Sequence, residues 1–236
     1  MPTDGSQHAG TPRLAWTSDR TVRLEVDPGP NAARVVGVWA RALRAGLGPA
    51  VLDAVPAARA VTLVVDPVRA DPAALNGRVR EIVAACAREE AFAGRVVEIP
   101  VAYGGAFGPD LAGVASMAGV RPDEVIQRHA GGVYAVEFFG FSPGFGYLSG
   151  LDPSLHTARL EQARTRVPAG SVGIGGSHTG VYPQAMPGGW RVIGRTPVTL
   201  FDADRDPPAL LAVGDTVRFV PIDAGEFERV RARSEP

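Results

Sequence analysis

Residues 138–200 decide how this chain is read: FFGFSPGFGYLSGL at 138–151, RTRVPAGSVGIGGSHTGVYP at 164–183 and MPGGWRVIGRTPVTL at 186–200. Glycine and proline punctuate these segments every few residues, with aromatic and β-branched residues in the gaps between them. Disordered linkers lack apolar residues to bury, so this composition describes tight turns joining short strands. Glycine supplies positive φ or close backbone approach, and proline presets φ. Loops so closely specified, on a rigid scaffold, are where binding and catalysis concentrate.

Working outward, only strand and turn signals follow Gly132. VYAVEFFGF, AGSVGIGG, GVYP, WRVIG, TPVTLF and DTVRFVPI read as short strands of a closed or nearly closed β-barrel. Ahead of them, PDLAGVASMAG and RPDEVIQRHA read as helices, the second opening on Pro122 with an acidic first turn. The N-terminal part differs in character. TVRLEV (21–26) alternates as a half-buried strand. Asn31 suits the N-cap of a helix to about Ala45. VLDAV and AVTLVV follow as strands, then a helix from Asp71-Pro72 to about Glu90 and a strand over VVEIPVAY. The expected fold is therefore α+β: a ferredoxin-like βαββαβ domain at 14–98, then a β-barrel domain at 99–222. Residues 1–13 and 223–236 read as flexible tails.

The chain has 236 residues and a formal net charge of -1, so no basic surplus points to nucleic acid or an anionic membrane. Every one of its basic residues is arginine, which excludes a Schiff-base lysine, a Walker A lysine and a lysine general base. Cys86 is the single cysteine; it sits in a helical pattern and reads as a small buried apolar residue, as expected of a reducing cytoplasm. No apolar run approaches the roughly 18 residues of a membrane span.

The candidate chemistry lies in the barrel loops. Phe141, Pro143, Phe145 and Tyr147 form a rigid turn that either presents rings to a ligand or buries them. The glycine-rich run with Ser171 and Thr179 offers backbone and hydroxyl donors to an anion, or is simply strand and turn. Arg195, Arg164 and Arg166 could each grip a carboxylate or phosphate. Arg195, followed by Thr196, lies in the tightest motif. His178 could serve as an acid or base, and Trp190 could anchor an interface or fill the barrel end. No metal site is expected, since no histidine has ligand spacing with Cys or another His. There is no GxSxG elbow.

GFSPGFGYLSGLDPSLHTARL, RTRVPAGSVGIGG, TGVYP and PGGWRVIGRTP together resemble the allophanate hydrolase subunit 1 family. This family includes the B subunit of the ATP-dependent 5-oxoprolinase and the Kip-type inhibitor of a sporulation histidine kinase, and its module recurs in urea carboxylase. The resemblance covers roughly 14–222 and implies a small α/β domain followed by a cyclophilin-like barrel. It departs from the family at Ser18-Asp19, where Gly-Asp is usual, and at His178, where glutamine is common.

The activity implied is ATP-dependent opening of 5-oxo-L-proline to L-glutamate, with ATP and magnesium bound by the complex rather than by this chain. The partners implied are allophanate hydrolase subunit 2, which is the 5-oxoprolinase C subunit, and the 5-oxoprolinase A subunit. Inhibition of a sensor histidine kinase, or a carboxyltransferase or allophanate hydrolase-type role in urea metabolism, are the alternatives. On this reading Arg195 and His178 are catalytic. Phe141, Pro143, Phe145, Tyr147, Ser171, Thr179, Tyr182 and Thr196 contact substrate, and Trp190 contacts a partner.

Overall fold

The computed structural model describes residues 12–29, 31–86 and 95–234. The chain divides into two compact units, at residues 1–94 and 95–236.

In the first unit, strands β1 (Arg13–Ser18), β2 (Thr21–Glu25), β3 (Val51–Ala57) and β4 (Ala60–Val65) form an antiparallel sheet in the order β1-β2-β4-β3. Helices α1 (Ala32–Gly46) and α2 (Pro72–Cys86) join it in one core. Alternation drives this. Val22 and Leu24, and Val61, Leu63 and Val65, are buried with Trp39 and Leu43 of α1 and Val79 and Val83 of α2. Pro56 is tolerated because β3 is an edge strand, where a missing N–H breaks no interior ladder. Asp71 caps α2 by accepting from the Ala73 N–H at 2.9 Å.

This element order is ββαββα, which differs from the expected ferredoxin-like βαββαβ. One strand was not anticipated. Leu14 and Trp16 alternate in β1, and the Trp16 Nε1 donates to Asn76 Oδ1 at 3.1 Å. The strand expected to close that sheet, β5 (Val96–Tyr103), belongs instead to the second unit. Local alternation identifies a strand without saying which sheet accepts it.

The second unit is built on β5, helices α3 (Leu111–Ala118) and α4 (Pro122–Gly131), and strands β6 (Tyr134–Phe139), β7 (Gly146–Ser149), β8 (Arg164–Val167), β9 (Ser171–Gly175), β10 (His178–Val181), β11 (Met186–Gly188), β12 (Arg191–Arg195) and β13 (Thr216–Pro221). The expected barrel is present and closed, in the order β10-β7-β6-β13-β5-β12-β9, while β8 and β11 pair separately. Strand β13 runs parallel to β5; the other pairings are antiparallel. Period-two residues fill the interior: Ile99 and Val101, Val172 and Ile174, Val217 and Phe219. Val114 of α3 and Val125 of α4 complete the same core.

Two expectations at the C-terminal end are corrected. TPVTLF forms no strand; only Phe201 pairs, in an isolated bridge with Ala209. Pro197 near the start of this stretch has no N–H to give to a ladder. Residues within the expected tail 223–236 form helix α5 (Ala224–Ser234). Phe227 anchors it, buried against Phe107 with ring centroids 4.6 Å apart. The other expected tail, 1–13, lies outside the described residues except at its end, where Arg13 begins β1. Cys86 is buried at the end of α2. The final residues expected in that helix, 87–90, lie outside the described residues. Among the described residues no helix is long and apolar enough to cross a membrane.

Candidate functional site

A second aromatic cluster sits apart from the barrel core: Phe145, Val167, Tyr182, Trp190 and Val192. Phe145 is its hub. Its ring meets Trp190 at 5.2 Å and Tyr182 at 5.3 Å between centroids, each at 82°, and meets Tyr147 at 5.2 Å. These are edge-to-face contacts, the favoured geometry for quadrupolar rings.

The glycine-rich run explains how the cluster fits. A Cβ on Gly175 would fall 2.5 Å from Trp190 Nε1, and one on Gly180 would fall 3.2 Å from the far edge of the same indole. A Cβ on Gly188 would meet the Tyr182 hydroxyl at 2.4 Å. The glycines of β9, β10 and β11 are thus a floor for aromatic rings rather than an open cradle of backbone donors.

Above this floor lies a cavity of about 220 Å³. Its walls are the rings of Phe145, Tyr147, Tyr182 and Trp190, and its rim carries Phe141, Arg159 and the Pro187–Gly189 segment. Phe141 is exposed and holds φ at +68, a left-handed conformation that a bulky side chain rarely adopts. Strain of this kind persists where the surrounding structure imposes it, and it clusters at functional sites. Burial raises the pKa of Tyr182, and a backbone hydrogen bond from Trp190 partly opposes that rise. Its hydroxyl therefore stays protonated at neutral pH.

Beside the cavity, on the far side of Tyr147, His178 Nε2 lies 2.9 Å from Glu137 Oε2. Both side chains are half-buried. The imidazole meets the Tyr147 ring edge-on at 5.8 Å, and Phe138 stacks on Tyr147 at 4.3 Å. Ser177 Oγ lies 3.4 Å from the other imidazole nitrogen. A histidine oriented by a carboxylate can pass a proton.

Five expected residues, Phe141, Phe145, Tyr147, Tyr182 and Trp190, therefore line one cavity, and His178 neighbours it. Pro143 shapes the turn between Phe141 and Phe145 without lining the cavity. The remaining expected residues lie elsewhere. Thr179 is fully buried, donating to the Gly173 carbonyl at 2.9 Å, and its oxygen lies 2.9 Å from His129 Nε2. Ser171 and Thr196 are buried, and the Thr196 N–H donates to the Gly170 carbonyl. Arg195 ends the strand that Trp190 precedes. It donates to the Ala169 carbonyl at 2.8 Å and rests over the Phe227 ring at 5.9 Å. Arg164 is held by both oxygens of Asp110, at 2.7 and 2.8 Å, which raises its pKa.

Three residues escaped sequence reading. Arg159 lies near the end of GFSPGFGYLSGLDPSLHTARL and Glu137 within VYAVEFFGF, but only the fold brings them to the cavity and to His178. His129 lies at 0% exposure between Tyr103 and Thr179. Because the Thr179 hydroxyl donates to Gly173, His129 donates through Nε2 and accepts from the Tyr103 hydroxyl at Nδ1. Burial pushes its pKa down to about 3. Its hydrophobic surroundings and satisfied bonds make it a neutral core residue.

A family model described as the carboxyltransferase domain, subdomain C and D, matches residues 12–211. The chain belongs to this family. It is 44% identical over 215 residues to the 5-oxoprolinase B subunit of Escherichia coli O157:H7, a match covering 90% of this chain and 97% of that protein. It is 46% identical over 156 residues to the 5-oxoprolinase B subunit of Bacillus subtilis (strain 168), covering 66% of this chain and 65% of that protein. Among solved structures, TTHA0988 superposes with a TM-score of 0.75 at 38% identity, over 87% of this chain and 40% of that one. The chain thus spans less than half of TTHA0988. In this carboxyltransferase-family chain, the cavity lining comes from segments that carry the resemblance, 140–160, 179–183 and 187–190, with Ala163 beside them.

Proposed function

We propose that the chain is the B subunit of an ATP-dependent 5-oxoprolinase and that its aromatic cavity is the working surface of this component. The observation that carries this is the 44% identity running over 97% of the E. coli B subunit. In the reaction, amide resonance makes the lactam of 5-oxo-L-proline a poor electrophile. Phosphorylation of the lactam oxygen by ATP activates the ring carbon; a first water adds there and the ring C–N bond breaks to leave the amine and an acyl phosphate, which a second water hydrolyses to L-glutamate and phosphate. This chain has no lysine and no P-loop, so magnesium-bound ATP is assigned to the complex assembled with the A and C subunits. His178 and Glu137 would move a proton, and Arg195 would hold the barrel end from which β12 leads to the cavity.

A second reading, carboxyl transfer within a biotin-dependent complex, draws on the family description. It needs a biotin carrier on another chain, since no lysine is available here.

The test is genetic. An E. coli strain lacking its own B subunit, given 5-oxo-L-proline as nitrogen source, is expected to grow when this chain is expressed with its cognate A and C subunits. Failure to grow, with all three proteins soluble, removes the proposal.

A further inference from the structure

We propose that the aromatic cavity binds a small, flat ring bearing one carboxylate, and that Arg159 is the residue that grips the carboxylate. The choice of 5-oxo-L-proline as probe rests on the B-subunit reading; the site itself is argued from its geometry.

Size comes first. Pockets for drug-sized ligands run to roughly 300–1,000 Å³. At about 220 Å³ this cavity suits a single ring with one substituent. Shape follows from the walls. Phe145, Tyr182 and Trp190 are buried and locked edge-to-face, so the walls are pre-formed from ring faces and edges that stand nearly at right angles.

Charge decides the ligand's sign. Arg159 lines the cavity and makes no hydrogen bond or ion pair among the described residues. Arg164, five residues on, is neutralised by Asp110. No carboxylate lines the cavity among the described residues. One uncompensated guanidinium beside low-dielectric walls favours an anion, and its fork matches a carboxylate in two parallel bonds.

Position is fixed on both sides of Arg159. The Leu160 N–H donates to the Gly189 carbonyl at 2.7 Å. The Arg191 Nε donates to the Ala158 carbonyl at 3.1 Å. Residues 158 and 160 are thereby pinned to the segment that carries Trp190, which fixes the Arg159 backbone at the rim before a ligand arrives. Such preorganisation lowers the ordering cost of binding.

The experiment is calorimetric titration of the full chain with 5-oxo-L-proline and with 5-oxo-L-prolinamide, which keeps the ring and removes the charge. Wild type is expected to bind the acid about ten- to a hundredfold more tightly than the amide, the range for one charge-assisted contact. In Arg159→Gln that preference is expected to vanish while the amide binds unchanged. Arg159 is exposed, so its replacement leaves the fold intact. Absence of binding to wild type, or an acid preference that survives in Arg159→Gln, overturns the proposal. The B-subunit reading fails separately: a complex that does not open 5-oxoproline, although this chain binds it through Arg159, sinks that reading and keeps the site.

Discussion

The indole of Trp190 rests on Gly175 so closely that a single added methyl would stand 2.5 Å from its Nε1 and 2.6 Å from its Cδ1. Both the ring's position and the cavity above it depend on that missing Cβ. Gly175→Ala is expected to destabilise the chain by about 1–3 kcal/mol, the usual cost of overpacking. It should also shift the tryptophan emission, because the indole must move. Urea denaturation followed by fluorescence checks both. A variant as stable as wild type and with unchanged emission would contradict the contact.

Phe141 should separate stability from function. A non-glycine residue in the left-handed region costs about 1–2 kcal/mol, and this ring is 61% exposed, so little burial offsets the strain. Phe141→Gly is expected to leave stability unchanged or raise it by about 1 kcal/mol while weakening ligand binding. Phe141→Ala keeps the strain and loses the ring, so it should weaken binding without a gain in stability. Thermal melts beside binding titrations distinguish the two. If Phe141→Gly bound as well as wild type, the exposed ring would have no part in the site.

The Asp110 carboxylate ties three segments together. It receives both guanidinium nitrogens of Arg164 and the Val192 N–H at 2.7 Å, while its own residue precedes α3. Asp110→Ala leaves a strand N–H and an arginine without their acceptor. The expected loss is about 1.5–3 kcal/mol, the range for hydrogen bonds to a charged group. Arg164→Ala should cost less, because Asp110 keeps its bond to Val192. Equal losses in the two variants, measured by denaturant unfolding, would show that the strand contact contributes nothing.

His129 gives the chain a pH dependence of known sign. Its folded pKa of about 3 lies below the ordinary 6.5, so the unfolded state takes up a proton that the folded state refuses. Stability contributed by the neutral ring is complete above about pH 6.5 and falls as pH drops toward 3. The slope reaches at most about 1.4 kcal/mol per pH unit. His129→Gln, which does not titrate, should lose stability at pH 7 through its imperfect bonds yet show a shallower decline as the solution is acidified from about pH 6.5 to 4. Parallel pH profiles for the two proteins would refute a buried neutral histidine.

How much of this was legible beforehand varied by residue. Period-two alternation marked β2, strand and turn signals marked β5, β6, β9 and β13, and the density of glycine and proline marked a barrel. Alternation could not tell that β5 pairs with β13, far along the sequence. Nor did it reveal β1, whose hairpin turn, Asp19-Arg20, carries no glycine. The glycine run of β9 admitted an anion cradle or a plain strand, and only the fold set Trp190 over it. The aromatic lining was readable because the rings lie inside dense motifs. Arg159 was not, because the residues that pin its neighbours, Gly189 and Arg191, are distant in sequence. Phe227 sat in a charged stretch that reads as a tail until its ring is seen beneath Arg195.

The central claim is that this chain supplies an essential part of a 5-oxoprolinase, and ATP-dependent glutamate formation from 5-oxo-L-proline tests it most directly. The assay uses the purified A and C subunits with this chain added or omitted. Turnover that appears only with the chain, and falls when its cavity is altered by Arg159→Gln, is the predicted result. Equal turnover with and without it, or none from a soluble assembled complex, would contradict the account.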